Sequence, residues 1–121
     1  MVRVPMPPPA GRADLHNHTR ASDGTLSPAE QVQWAASQGL AAVGITDHDT
    51  IAGWAEARAA AEEAGIEFVP GVELSTEVGK TEVHILAYYF DPEEPAMAEL
   101  LRRMRGGRRK RVEAAVARLH E

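Results

Sequence analysis

Histidine and carboxylate residues fall into two tight groups in the first half of the chain. Residues 14–18 read DLHNH and residues 46–49 read TDHD. In an extended segment, residues two apart project from the same face, so Asp14, His16 and His18 are expected to converge. Imidazole nitrogens and carboxylate oxygens gathered on one face make a poor hydrophobic core and a good divalent-metal site. The first group therefore predicts metal binding.

Further residues extend the predicted set of metal ligands. Asp23 lies in a Ser-Asp-Gly turn, and Glu73 follows Pro-Gly-Val, where a glutamate is unusual unless it is paired. His48 follows an apolar run; capping of the next helix would account for Asp49 or the threonine after it, but not for His48. A lone histidine in an apolar strand, such as His84, is more often a hydrogen-bonded core residue. The presence of the other candidate metal ligands favours metal ligation for His84.

Asp14 and Asp47 each lie just before a candidate histidine ligand, so their carboxylates are expected to hydrogen-bond and orient the imidazoles. Cysteine is absent, so the donors must be nitrogen and oxygen, which suits Mn, Fe or Zn. Several clustered carboxylates indicate more than one divalent ion. No Walker loop or Gly-x-Ser-x-Gly motif is present. Hydrolysis by a metal-bound hydroxide is the simplest reaction consistent with these residues.

Composition limits the class of function. With 121 residues and a formal net charge of −5, the chain can bury one core and lacks a global basic field for nucleic acid. Aromatic residues make up 5% of the chain, too few for a base-stacking platform. The Pro-rich residues 1–11 predict a disordered leader, and residues 12–121 are expected to form one domain. No signal peptide or membrane span is recognisable, so a cytoplasmic location is expected.

The predicted elements alternate between strands and helices. Ser27, Pro28 and Glu30 form a capping box with proline at the first helical position, and Gly39 ends that helix. Strand, helix, strand, helix, strand is typical of parallel βαβ units in an α/β fold, whose sites gather at the carboxyl ends of the strands. The predicted strands are 12–18, 41–46, 67–69 and 81–90, and Gly106-Gly107 is expected to divide the last helical region in two, with a new helix from Arg108.

Five short motifs occur in a fixed order along the chain. Residues 14–18, 22–24, 46–49, 71–73 and 83–84 resemble the successive motifs of the PHP (polymerase and histidinol phosphatase) family. The connecting segments resemble the branch that contains 3′,5′-nucleoside bisphosphate phosphatases and a related 5′-to-3′ exoribonuclease. This resemblance implies a distorted (β/α)7 TIM-like barrel with two or three metal ions at its carboxyl-end face. It also implies six metal ligands, with the glutamate bridging two ions: His16, His18, Asp23, His48, Glu73 and His84.

The same resemblance implies a role in phosphate binding for a basic cluster near the end of the chain. Arg108, Arg109 and Lys110 could place cationic side chains and a helix N-terminus against a substrate phosphate. The alternative is a solvated charged helix face. The implied substrate is a small phosphorylated molecule, such as a nucleotide or the 5′ end of a short RNA.

The family pattern continues with a later histidine and an Asp-x-His motif, whereas only His120 follows His84 here. The chain is therefore expected to be the N-terminal portion of the barrel, with the rest missing or supplied by a partner chain. The leading hypothesis is a metal-dependent phosphoesterase. The alternatives are a histidinol phosphatase, a polymerase-associated exonuclease domain, or an inactive remnant that binds metal without turnover.

Overall fold

Strands and helices alternate through residues 11–119, the part of the chain that the computed structural model describes. The predicted leader, apart from Gly11, and His120 lie outside that range. Four strands form one sheet in chain order, and none of the described helices combines the length and apolar content that a membrane crossing requires. The elements are β1 (Ala13–Asp14), α1 (Pro28–Ser37), β2 (Ala42–Ile45), α2 (Trp54–Ala64), β3 (Glu67–Val78), β4 (Thr81–Tyr88) and α3 (Pro95–Leu119).

The first helix begins and ends where its local sequence predicts. The Ser27 hydroxyl accepts a hydrogen bond from the Glu30 amide, and the Glu30 carboxylate accepts one from the Ser27 amide, each at 3.1 Å. Such caps contribute about 1 kcal/mol by satisfying amides that have no partner within the helix. Gly39 follows the helix with a positive φ of 78°, which glycine adopts without a steric penalty. The predicted capping box and helix stop are confirmed.

The core of the parallel region lies between β2 and the two helices α1 and α2. β2 pairs in parallel with β1 on one side and with residues 67–70 of β3 on the other. All four residues of β2 are buried, as expected for a central parallel strand covered on both faces. The buried cluster contains Val32, Ala35, Val43, Ile45, Ala57, Ala60 and Ala61.

The parallel arrangement expected from the βαβ pattern is wrong for the last predicted strand, β4. β3 extends to Val78, well beyond the predicted end at Val69, and pairs antiparallel with β4 through eight residue pairs from Gly71↔Tyr88 to Val78↔Thr81. Only Gly79 and Lys80 separate the two strands, and Gly79 has a φ of 64°. A two-residue loop can join antiparallel neighbours but is far too short for a parallel crossover.

The predicted break in the last helix is also absent. α3 runs without interruption through Gly106 and Gly107, so no helix N-terminus exists at Arg108. Each glycine costs a helix about 1 kcal/mol relative to alanine, which the arginines, leucines and alanines along this long helix can offset. Leu101 anchors α3 by packing in a second buried cluster with Val72 and Leu74 of β3.

Candidate metal centre

Glu73 lies at the centre of the predicted ligand set, with 4% of its side chain exposed. Its Oε1 lies 2.5 Å from Nε2 of His16 and 3.3 Å from Nε2 of His18. Its Oε2 lies 2.8 Å from Nδ1 of His84 and 3.2 Å from Nδ1 of His48. One buried carboxylate is therefore shared by four imidazoles that come from three separate parts of the chain.

Asp23 adds a second carboxylate on the side of the cluster nearest His18 and His48. Its Oδ1 lies 2.7 Å from His18 Nδ1, and its Oδ2 lies 3.2 Å from His48 Nε2. Three groups with potential ligand atoms within 4.8 Å of one another result: His16 with His18 and Glu73, His18 with Asp23 and His48, and His48 with Glu73 and His84.

These nitrogen and oxygen donors fit a divalent cation. Two ligands of one ion are separated by up to about 4 Å when each bond is about 2.1 Å long. Donor atoms within 4.8 Å can reach such separations by small side-chain rotations. All six predicted ligands belong to the three groups, so the structure brings together the whole predicted set.

The sheet places His48 and Glu73 side by side. His48 follows the end of β2 and forms a parallel bridge with Glu73. The Asp49 amide donates to the Glu73 carbonyl, and the Glu73 amide donates to the Asp47 carbonyl, both at 3.0 Å. Glu73 lies inside β3, three residues beyond Pro70, where pairing with β2 ends. The site thus lies at the carboxyl end of the parallel strands, as predicted.

The segment that carries His16 and His18 is not a regular strand. β1 ends at Asp14, so the predicted strand 12–18 is too long. The chain instead passes close over Gly44, where a Cβ atom would lie 3.0 Å from Cα of Leu15. Despite this departure, His16 and His18 both reach Glu73, as their alternate spacing predicts. Asp14, which was expected to converge with them, is in none of the three groups of donors.

Asp14 and Asp47 do not contact the imidazole rings as expected. Asp14 is exposed and accepts a hydrogen bond from the backbone amide of His16 at 3.3 Å. Asp47 is buried and accepts from the Thr19 amide at 2.6 Å, the Thr19 hydroxyl at 2.8 Å and the Ser22 hydroxyl at 2.6 Å. Its carboxylate therefore fixes the loop that presents Asp23, because backbone and hydroxyl donors in that loop reach it directly.

Close packing shapes the same loop at Gly24. The Gly24 amide donates to the Thr19 carbonyl at 2.8 Å and closes the turn around Asp23. A Cβ atom at Gly24 would lie 2.2 Å from the carbonyl oxygen of His18, a distance that no side chain can tolerate. The glycine of the Ser-Asp-Gly turn is therefore required for the Asp23 loop to lie against the histidine segment.

Asp49 joins the metal cluster to α3 instead of capping α2. Its Oδ1 accepts from the Ser75 amide at 2.9 Å, its carbonyl accepts from Arg105 Nη1 at 3.2 Å, and its φ is 56°. The threonine after it accepts from the Ala52 amide, and the N-cap of α2 is Gly53, without a side-chain cap. The expectation that Asp49 or this threonine caps α2 is wrong, because the turn between β2 and the helix is longer than predicted.

Glu82 is a site residue that the sequence reasoning missed. Its Oε1 lies 2.7 Å from Nε2 of His84, whose Nδ1 faces Glu73. This pairing leaves Nδ1 of His84 for a ligand while Glu82 holds the opposite nitrogen. Glu82 and His84 are two apart on β4 and so share a face, a relationship that was readable from the alternating pattern of the strand.

Burial and charge adjust the protonation of the cluster. The pKa of His48 is lowered, chiefly by burial and also by the positive charge of Arg108, which together outweigh Glu73 and Asp23. A neutral imidazole keeps a lone pair for a metal. Burial acts to raise the pKa of Glu73, but the hydrogen bond with His16 and the nearby histidine charges outweigh it and leave that pKa lowered.

The pKa of His84 is raised, mainly by its hydrogen bond with Glu82, with desolvation opposing. Burial acts to raise the pKa of Asp23, but hydrogen bonding with His18 and the charge of His48 lower it overall. The carboxylates of Asp23 and Glu73, whose pKa values are both lowered, are therefore held in the ionised form that ligates a cation.

A basic cleft of about 540 Å³ adjoins the cluster. Arg108 and Arg109, two of the three residues predicted to bind phosphate, line this cleft, and Arg108 Nη2 lies 4.0 Å from Asp23 Oδ2. Lys110 is not among the lining residues, whereas Arg105, which the sequence reasoning did not single out, is. The helix is continuous here, so the cationic side chains of α3, and not a helix N-terminus, face the cleft. The lining residues are Ala21, Ser22, His48, Thr50, Arg105, Arg108, Arg109, Val112 and Glu113.

Known proteins are similar to this chain in sequence and in fold. The chain is 48% identical over 99 residues to a 3′,5′-nucleoside bisphosphate phosphatase of Chromobacterium violaceum, covering 82% of this chain and 35% of that protein. It is also 48% identical over 99 residues to a 5′-3′ exoribonuclease of Haemophilus influenzae, covering 82% of this chain and 36% of that protein. This chain thus spans about a third of the length of these relatives.

A solved structure from Bifidobacterium adolescentis, described as a metal-dependent phosphoesterase, superimposes with a TM-score of 0.87 and 39% identity. The match covers 94% of this chain and 40% of that chain. The α/β class and the partial TIM-like barrel predicted from the sequence are confirmed. The family model of the PHP domain matches residues 14–110. The chain belongs to the PHP family.

Proposed function

We propose that this chain holds the metal ions of a phosphoesterase that hydrolyses phosphate esters of nucleotides or short RNA. The observation that carries the proposal is the buried Glu73 carboxylate, shared by four imidazoles and linked through His18 and His48 to Asp23. The two relatives described above are named as a nucleoside bisphosphate phosphatase and an exoribonuclease, both of which hydrolyse phosphate esters. Their names support the same reaction class here.

Two or three divalent ions fit the three overlapping groups of donors. Glu73 belongs to two of these groups and would be shared between two ions, because one of its carboxylate oxygens faces His16 and His18 and the other faces His48 and His84. Ligands without sulfur suit Mn, Fe or Zn. When bound, such ions supply an activated water and neutralise the charge of the phosphate. The proposed ligands are His16, His18, Asp23, His48, Glu73 and His84.

The basic cleft supports a phosphorylated substrate. Arg105, Arg108 and Arg109 project from one helix into a cleft that His48 also lines, so an ester at the metal cluster can extend beneath the arginines. A guanidinium group can bind two oxygens of one phosphate. Three arginines beside the metal cluster therefore favour a substrate with a second phosphate near the scissile one. Nucleoside bisphosphates and the 5′ ends of short RNAs both have this arrangement. Lys110 does not line the cleft and is proposed to contribute only its charge.

We propose further that additional barrel elements complete the domain of residues 12–121. Ile85 on β4 is 48% exposed, and α3 exposes Val112, Val116 and Leu119 by 57%, 48% and 83%. Apolar side chains in such a row along one helix normally pack against another element. A longer continuation of the domain or a partner chain could supply that element.

Metal analysis and a phosphate-release assay test the proposal. We expect the purified protein, completed by whatever forms its full barrel, to bind Mn and to release phosphate from 3′-phosphoadenosine 5′-phosphate. Glu73→Gln should reduce metal affinity by more than the roughly 10- to 100-fold that outer hydrogen-bond partners of metal ligands usually contribute. The matched control is Glu77→Gln, an exposed carboxylate on the same strand.

Two outcomes would contradict the proposal in different ways. Absence of bound metal in the unsubstituted protein would exclude the metal centre. Full metal occupancy with neither phosphate release from bisphosphates or histidinol phosphate nor nucleotide release from RNA would identify an inactive metal-binding remnant.

A further inference from the structure

Asn17 lies between the two histidines that contact Glu73 and uses its whole side-chain amide in hydrogen bonds. Its Nδ2 donates to the carbonyl of Gly44 on β2 at 3.0 Å and to the carbonyl of Asp14 at 3.3 Å. Its Oδ1 accepts from Nε2 of Gln31 on α1 at 3.0 Å. Both donor hydrogens and the acceptor oxygen are therefore satisfied by parts of the parallel core.

The backbone of Asn17 is also held by hydrogen bonds. The Asn17 amide donates to the Thr46 hydroxyl at 3.1 Å, and the Asn17 carbonyl accepts from the Thr46 amide at 2.8 Å. Thr46 is fully buried and lies two residues before His48. These bonds replace the strand pairing that β1 loses after Asp14, so the segment stays attached to β2 without being a strand.

The bonds of Asn17 determine where its two neighbours project. With the side chain of Asn17 bonded to the Gly44 carbonyl of β2, the side chains of His16 and His18 on either side of it both reach Glu73. The two rings lie with centroids 5.3 Å apart and both reach the same carboxylate oxygen. We propose that Asn17 is a positioning residue that sets the separation of these two imidazoles for metal binding. This inference rests on the proposed metal centre.

The chemistry of the amide is required, and not only its shape. Aspartate has nearly the same shape as asparagine but no Nδ2 hydrogens, so Asn17→Asp would direct a carboxylate oxygen at two carbonyl oxygens. Both of the donated bonds would be lost and replaced by repulsion, although the two histidines would remain. Gln31→Ala removes only the bond to Oδ1 and should produce a smaller effect in the same direction.

Hydrogen exchange tests the bonds without metal or activity. Asn17 is the only asparagine in the chain, so protein grown on amide-¹⁵N-asparagine gives one pair of side-chain amide resonances. We expect these hydrogens to exchange with solvent at least about tenfold more slowly than those of an exposed amide, because both are donated to carbonyls. Exchange at the rate of a free asparagine side chain would overturn the inference.

Cobalt binding tests the positioning. For Asn17→Asp we expect a loss of about 10- to 100-fold in Co²⁺ affinity together with a changed visible spectrum of the bound ion. A purely structural role would lower the melting temperature but leave the spectrum of the bound ion unchanged. Unchanged affinity and spectrum in Asn17→Asp would overturn the inference.

Two further results keep the test decisive. If Asn17→Asp does not fold, Gln31→Ala takes its place, and wild-type Co²⁺ affinity and spectrum in that variant would also overturn the inference. If the unsubstituted protein binds no Co²⁺, the metal centre itself fails, and the positioning role fails with it. Slow exchange of the Asn17 amide would then show only that its bonds form, which separates the two failures.

Discussion

The parallel region and the hairpin region of this molecule are built in different ways. In the parallel region, which ends at Pro70 of β3, β2 lies under two helices and Val43 and Ile45 are almost completely buried. In the hairpin region, formed by the rest of β3 with β4 and α3, the buried cluster contains only Val72, Leu74 and Leu101. Most of β4 and most of α3 are exposed.

The candidate metal centre lies across the boundary between these regions. The parallel region supplies His16, His18 and His48, whereas the hairpin region supplies His84 and the arginines of the cleft. Glu73 stands just past the boundary and contacts ligands from both sides. A well-packed region therefore fixes four of the six candidate ligands, including Asp23, whereas the positions of Glu73 and His84 depend more on contacts made at the site itself.

Core truncation should give the largest difference between the regions. Ile45→Ala and Leu101→Ala both empty a buried position, with 1% and 2% of the residue exposed. Such substitutions cost about 2 to 5 kcal/mol, and the cost rises with the volume of the cavity that the neighbours cannot fill. We expect Ile45→Ala near the upper end and Leu101→Ala near the lower end in urea unfolding. Equal losses would contradict the comparison.

Metal binding should stabilise the two regions unequally. An ion at 100 times its dissociation constant stabilises the folded state by about 2.7 kcal/mol. Because the ligands join the regions, removal of metal by a chelator should speed amide exchange in β4 and in residues 19–24 and leave α1 nearly unchanged. Hydrogen exchange followed by mass spectrometry measures this, and a uniform change along the chain would contradict it.

Replacement of the two glycines of α3 should have the smallest effect. Gly106 and Gly107 are helical with open space around them, so Gly106→Ala and Gly107→Ala should each raise helix stability by about 1 kcal/mol. Circular dichroism during urea unfolding measures the gain. The control is Gly79→Ala in the hairpin turn, where the φ of 64° disfavours alanine and a loss is expected. A loss at both helical positions would indicate a break in α3.

The sequence predicted the parallel region better than the hairpin region because local signals determine the former. A capping box and a helix-ending glycine define α1, and an apolar run defines β2. The direction of β4 depended on recognising Gly79-Lys80 as a two-residue hairpin loop. The continuity of α3 depended on the whole length of the helix outweighing two glycines.

The same division applies to the site. The alternate spacing of His16 and His18 was enough to predict their convergence. The partners of Asp47 were not predictable, because they depend on how the loop from Thr19 to Ser22 folds back over β2. Glu82 was within reach of the pattern, since it alternates with His84 along one strand.

Gly24 has a consequence for how variants of this protein would be interpreted. Its missing side chain makes room for the His18 carbonyl, so even alanine would displace the Asp23 loop although residue 24 has no ligand atom of its own. In a saturation library sorted for cation retention, position 24 should tolerate as few replacements as position 23. Gly24, which is required because it has no side chain, would then be scored as though it were a metal ligand.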